Sequence, residues 1–251
     1  MPETFVYNQL REFPPNGTLA KAASRVAQNV ALSARILMTS PLNLQEWFGG
    51  IDIYLFDQLL KGQFVPGMRV LDAGCGNGRN LVYLLRSGYE VFGLDESAEA
   101  VAQTRRLAAA LAPHLPADNF HVEAVEQMSF ADTGFDLVLS SAVLHFARNE
   151  EHWSSMVEEM WRVLKPGGVF FVRLASTIGI EDRVELIEGR RYRLPDGSER
   201  FLTDEAMLLR VSAELGGEFI EPIKTTVVQN LRAMTTWCLR KRRRKMEGID
   251  P

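Results

Sequence analysis

Apolar positions between Met68 and Ala175 fall into two alternating textures. The runs RVLDA, EVFGLD, NFHVEAV, FDLVLSSAV and GVFFVRLA are short and nearly continuous, as expected of strands buried on both faces. Between them, NLVYLLRSG, SAEAVAQTRRLAAALA and HWSSMVEEMWRVLKPGG carry apolar residues every three or four positions, the period of an amphipathic helix. Repeated strand–helix–strand units predict an α/β, doubly wound fold: a parallel sheet with helices on both faces.

The flanks follow other patterns. PPNGT reads as a turn, LAKAASRVAQNVALSARILM as a helix, and SPLN as its break. DIYLFDQLLKG reads as a second helix closed by Gly62 in the manner of a glycine C-cap. After Ser176 the alternation lapses. RRYRLPDGSERFLT predicts a hairpin around Pro195-Asp196-Gly197, and TDEAMLLRVSAELGG a helix with the capping signature Thr203-Asp204-Glu205. A final strand is expected in KTTVVQN or AMTTWCLRK. This organisation predicts an N-terminal helical cover over 1–64 and a core over 65–251, with an insertion at about 176–203.

Composition narrows the function classes. The chain has 251 residues, 46% of them hydrophobic, and a net charge of −4, which argues against the broad basic face of a duplex-binding protein. Two cysteines, Cys75 and Cys238, can build neither a metal-ligand spacing nor a disulfide framework. No basic segment followed by an apolar one opens the chain, and no apolar run is long enough to span a bilayer. The expectation is a cytoplasmic protein that binds neither a metal nor a membrane.

Candidate chemistry concentrates in VLDAGCGNGRN, Val70 to Asn80. Glycine permits positive φ and close approach of another group to the backbone, and a strand–turn–helix unit presents free N–H groups to a ligand. A dinucleotide-binding turn needs a third glycine at position 79, which is Arg79; a P-loop needs Gly-Lys-Ser/Thr, which is absent. The next strand ends at Asp95, whose carboxylate can accept both hydroxyls of a ribose, whether of NAD or of another adenosine.

DAGCGNGRN, GLDES, AVEQMSF, FDLVLSSAVLHF and EEMWRVLKPGGVFFV, in this order, resemble the motifs of class I S-adenosylmethionine-dependent methyltransferases. Within that family the Gly-Arg-Asn version looks like the small-molecule branch that includes tellurite-resistance-type and quinone-methylating enzymes. The resemblance covers Val70 to Ala175 and implies a seven-stranded, mostly parallel sheet with the last strand reversed. It implies that Gly74, Cys75 and Gly76 approach the methionine part of S-adenosylmethionine, that Asp72 adds negative charge near its ammonium, and that Asp95, followed by Glu96, binds the ribose. It also places Val125 and Glu126 beside the adenine, and Ser140 near the methionyl amine through its carbonyl. Arg79, next to Asn80, either faces the carboxylate of the cofactor or covers the turn. Ala124 and Ser129 depart from the family pattern, where aspartate and proline are common.

His145, after the fourth strand, is the candidate residue at the mouth of the expected cleft; His114, His121 and His152 have no such placement. Tyr7, Trp47, Phe48 and Tyr54 precede the core and are expected to pack or to cover the acceptor. Arg240 to Lys245 read as a solvated basic tail. The expected activity is methyl transfer to a nucleophilic atom of a small molecule. The rivals are a nicotinamide-dependent oxidoreductase, a non-catalytic cofactor-binding module and a nucleic-acid methyltransferase using the basic tail. Ser140-Ser141-Ala142-Val143, where base methyltransferases carry an Asn/Asp-Pro-Pro-Tyr-type motif, counts against the last.

Overall fold

Val70 and Leu71 are adjacent, both fully buried, and belong to hydrophobic clusters on opposite sides of one sheet. That is the consequence of side chains alternating along a strand, and it repeats at Leu137 and Val138 and at Phe170 and Phe171.

The computed structural model describes residues 43–243. The helix expected over 19–38, its flanking turn and Tyr7 lie outside the described residues. The chain divides at Leu44, and the unit from Gln45 onward is described by itself. Its elements begin with α1 (Leu44–Phe48), α2 (Ile53–Leu60), β1 (Arg69–Ala73), α3 (Val82–Arg86), β2 (Glu90–Asp95) and α4 (Ala98–Leu111). Next come β3 (Phe120–Val122), β4 (Phe135–Ser141), α5 (Glu150–Val163) and β5 (Leu164–Ser176). The chain continues through β6 (Glu185–Glu188), β7 (Arg191–Arg193), β8 (Glu199–Phe201) and α6 (Glu205–Glu214). It closes with β9 (Gly217–Phe219), β10 (Lys224–Val228) and β11 (Arg232–Lys241).

The main sheet runs β10-β11-β5-β4-β1-β2-β3. Pairings from β3 through β5 are parallel, whereas β11 is antiparallel to β5 and to β10. This is the expected doubly wound, mostly parallel sheet of seven strands with the last one reversed. A short β9 adds an eighth, pairing with the end of β11 from Leu239 to Lys241.

One face is covered by α5 and α6, whose Trp153, Met156, Met160, Met207 and Leu208 surround Trp237 of β11; Trp153 and Trp237 stack at 6.1 Å. The other face takes Leu55 of α2, Leu84 and Leu85 of α3, and Val101 and Ala108 of α4. Asp52 caps α2 by accepting from Tyr54 N, and Gly62 follows its end at φ +67°. That helix is tied to the far sheet edge by Lys61 and Lys224, which both reach Asp57 and Glu221, and by a Tyr54–Thr226 hydroxyl contact of 2.5 Å. Among the described residues no helix is long and apolar enough to cross a membrane.

Several expectations are corrected. The third strand stops at Val122, because the chain turns away from the sheet before Glu126. LKPGG does not continue the helix: Leu164 already pairs with Phe135, and a register shift brings Val169 opposite Leu137. The expected hairpin is there as β7 and β8, and β6 makes it a three-stranded sheet. An isolated bridge between Ser176 and Thr203 brings together the two ends of this segment. The capping residue of α6 is Asp204, accepting from Met207 N at 2.7 Å.

Arg240 and Lys241 are not a solvated tail. They end β11, where Arg240 donates to Gly167 O and Gln63 Oε1 and Lys241 to Trp161 O and Leu164 O.

Candidate functional site

The strand order reverses at β1, with β2 on one side and β4 on the other. In open α/β sheets the crevice at such a reversal, beyond the strand C-termini, is where ligands bind. The glycine turn occupies that place. Gly74, Gly76 and Gly78 have φ of +84°, +53° and +81°, all in the left-handed region. Their surroundings separate their purposes. A Cβ on Gly74 would lie 2.4 Å from Val143 Cγ2, and one on Gly78 2.8 Å from Leu107 Cδ2, so both serve close packing. A Cβ on Gly76 would meet nothing within 4 Å. Gly76 faces the cavity.

That cavity holds about 490 Å³ and is lined by Gly74, Cys75, Gly76, Arg79, Asn80, Asp95, Glu96, Val125 and Glu126. Its size falls within the ~300–1,000 Å³ usual for small-molecule sites. Asn77, Ser141, Ala142, Val143, Phe146, Arg148, His152 and Met156 complete the wall.

Asp95 ends β2. Its Oδ2 accepts from Gly76 N at 3.0 Å and its Oδ1 from Ser97 N at 2.9 Å. A carboxylate offers about four acceptor sites, so two remain for a ligand. Asn80 is drawn the other way, its Oδ1 accepting from Asp52 N at 2.9 Å and fastening the entrance of α2 to the turn. Arg79 spans the cavity floor and donates to Ser141 Oγ at 3.0 Å. Cys75 is buried, and its thiol is pushed up to about 12 by burial and by Asp72, so it is no nucleophile.

Asp72 and Ser140 do not line the cavity; they stand behind it in β1 and β4. Both oxygens of Asp72 are buried without a hydrogen-bond partner, as is Ser140 Oγ. Burial raises the Asp72 carboxyl to about 7, with Arg79 opposing and Asp95 adding to the rise. A buried, unpartnered acid is costly and calls for a cation.

His145 is also placed differently from expectation. It lies in a short 3-10 turn, Leu144–Phe146, and lines a neighbouring cavity of about 280 Å³ instead of the mouth of the larger one. Burial, aided by Arg200 and Arg232, pushes its imidazole down to about 4, so it is neutral near pH 7.

His152 was missed. Asn149 caps α5 by accepting from His152 N at 2.8 Å, which fixes His152 in the first turn, at the cavity wall. Arg148 N donates to Nδ1 at 3.1 Å, so the ring proton sits on Nε2 and is donated to Glu126 Oε1 at 2.8 Å. An Asn cap followed three residues later by His was the available signal. Trp47, Phe48 and Tyr54 do not line this cavity; Phe48 stacks on Tyr83 at 5.1 Å, and Tyr54 lies under Arg173 at 4.3 Å.

A family model described as a methyltransferase domain matches residues 71–172, the span from β1 into β5 that builds this cavity. Residues 71–172 are thus similar to methyltransferase domains. Relatives of this domain include a malonyl-[acyl-carrier protein] O-methyltransferase of Enterobacter lignolyticus, 33% identical over 66% of this chain and 61% of its own. A tRNA 5-carboxymethoxyuridine methyltransferase of Escherichia coli is 29% identical over 49% of this chain and 46% of its own. The chain thus spans about half to three-fifths of these curated relatives. In fold, the domain and its flanks are similar to the crystal structure of 1,6-didemethyltoxoflavin-N1-methyltransferase of Burkholderia thailandensis, which has S-adenosylhomocysteine bound. There the TM-score is 0.59 at 17% identity, covering 92% of this chain and 93% of that one.

Proposed function

We propose that the protein is an S-adenosylmethionine-dependent methyltransferase whose acceptor is a small molecule. The observation that carries this reading is the pair of carboxylates bracketing the open glycine. Asp72 is buried with no cation of its own in hydrogen-bond reach, and Asp95 keeps free acceptor sites at the cavity wall. A cofactor with an ammonium, a ribose and no phosphate suits both, and the absence of a P-loop lysine from the turn agrees. Bound there, S-adenosylmethionine supplies a methyl group activated by a sulfonium.

The chain's residues then hold and orient. Asp95 accepts the ribose hydroxyls, with Glu96 beside it. Val125 and Glu126 flank the adenine, and the His152 hydrogen bond keeps the Glu126 side chain in place. Asp72 neutralises the ammonium, Ser140 assists through its carbonyl, and Arg79 meets the cofactor carboxylate. Gly76, without a side chain, leaves room for the methionine part. Positioning of acceptor and methyl group in line supplies much of the acceleration when the acceptor is already nucleophilic. The 176–203 insertion, which closes on itself at the Ser176–Thr203 bridge, forms the acceptor side. A small acceptor is favoured over nucleic acid because Arg240 and Lys241 are used in packing.

Calorimetry with S-adenosylmethionine, S-adenosylhomocysteine and NAD tests the reading directly. Micromolar binding of the first two and none of NAD is expected. Heat with NAD alone would overturn it, and release of S-adenosylhomocysteine with an acceptor panel identifies turnover.

A further inference from the structure

The smaller cavity shares Ala142 with the larger one, and the turn Leu144–Phe146 gives His145 to the smaller and Phe146 to the larger. His145 comes from the turn after β4, Ala175 from β5, Leu194, Asp196, Ser198 and Arg200 from the β7–β8 hairpin, and Arg232 from the start of β11. Ala142, where the two cavities meet, has φ +67°, a strained value for a residue with a side chain.

The charges in this cavity are unbalanced. Arg190, Arg191 and Arg193 of the same insertion each pair with a carboxylate. Arg200 and Arg232 do not: among the described residues neither has a carboxylate oxygen within 4.0 Å. Arg200 donates to Glu199 O and lies over the Phe146 ring at 4.9 Å, which places its guanidinium beside a wall residue of the larger cavity. Asp196, the one acid of the lining, is engaged by Ser198 N and Oγ, and these bonds with the two arginines hold its carboxyl below the usual range. Two cations against one anion leave a surplus of one positive charge. The remaining wall is apolar, with Ala175, Leu194 and Met234, and His145 contributes a buried Nδ1 with no partner.

We propose that this cavity binds a small, partly apolar acceptor that carries a carboxylate, held by Arg200 and Arg232 so that its other end meets Ala142 and the cofactor cavity. The inference rests on the methyltransferase reading given above. Guanidinium forks match carboxylates in two-point hydrogen bonds, and a surplus of one charge fits a monoanion better than a phosphate dianion. The neutral His145 ring can bond to the acceptor without adding a further charge.

The test uses the full chain, with and without saturating S-adenosylhomocysteine, titrated calorimetrically with sodium hexanoate and with hexanamide as the uncharged control. Hexanoate is expected to bind at least tenfold more tightly than hexanamide. Arg200→Gln and Arg232→Gln are each expected to weaken hexanoate at least fivefold while leaving S-adenosylhomocysteine affinity unchanged, which also reports that the variants are folded. Equal binding of acid and amide, binding of neither, or undiminished hexanoate affinity in the double variant would overturn the proposal. Failure of S-adenosylhomocysteine to bind while hexanoate binds would instead count against the methyltransferase reading alone.

Discussion

Asp95 reaches back 19 residues to Gly76, accepting its backbone N–H at 3.0 Å, so one carboxylate both fixes the glycine turn and faces the cavity. Removing it therefore has two consequences. Asp95→Ala should weaken S-adenosylhomocysteine binding at least tenfold and also lower stability by about 1.5–3 kcal/mol, the worth of hydrogen bonds to a charged group. Asp95→Asn keeps one acceptor oxygen and should fall between parent and Ala. Calorimetry and urea unfolding read the two effects separately. Unchanged affinity in Asp95→Ala would remove Asp95 from the cofactor site.

Gly76 and Gly74 should respond differently to substitution. Gly76→Val costs the positive-φ penalty, roughly 1–2 kcal/mol, and then fills the space the ligand needs. A folded protein without measurable cofactor binding is expected. Gly74→Ala adds to the same penalty a clash with Val143 Cγ2 at 2.4 Å and should lose stability first. Thermal unfolding ranks the two. A folded Gly76→Val protein with parental affinity would place the ligand elsewhere.

The frame of the fold was legible because period and burial coincide: continuous apolar runs became inner strands, and three-to-four spacing became covering helices. The cavity wall was legible where backbone sets it, at Gly74 to Asn80 and at Asp95. What escaped depends on contacts across the chain. Nothing local shows that His152 reaches Glu126, or that His145 turns into the neighbouring cavity beside Arg200 and Arg232. In sequence the basic run looks the same whether solvated or packed, and for Arg240 and Lys241 only the pairing of β11 with β5 and β9 decides it.

Asp72 and His145 predict opposite pH dependences within one window. For Asp72 the folded value of about 7 exceeds the ordinary 3.8, so the folded chain holds an extra proton between them and stability falls as pH rises from about 4 to about 7. For His145 the folded value of about 4 lies below the ordinary 6.5, so its stability is present above 6.5 and is lost as pH falls toward 4. The two slopes oppose each other, and the parent curve should be flatter than either alone. Asp72→Asn should unmask the loss at low pH, and His145→Leu the gain there. Identical curves for parent and both variants would show that neither group is shifted.

Cofactor binding should draw a proton from Asp72. An ammonium beside the buried carboxyl favours its charged form, so affinity should rise as pH passes upward through about 7 and level off above it. At pH 6.5, binding heats measured in buffers of different ionisation enthalpy should report release of a fraction of a proton, and Asp72→Asn should release none. No proton release in the parent would separate Asp72 from the ammonium.

The C-terminal basic run should divide between Lys241 and Arg242. Arg240 and Lys241 donate to carbonyls at the end of α5 and the start of β5, and Arg240 also reaches Gln63. Arg242 is exposed and pairs with Glu218 at the surface, an interaction worth about 0–1 kcal/mol. Truncation before Arg242 should therefore leave cofactor affinity and turnover close to the parent. Truncation before Arg240 takes away two packed cations together with the pairing of Arg240 and Lys241 with β9 and should lower stability by about 2 kcal/mol or more. Urea unfolding of the two truncations distinguishes them. Equal stability would make the run a solvated tail after all. A stable shorter form that loses turnover, from a parent with steeply salt-dependent RNA binding, would instead make these cations part of substrate recruitment.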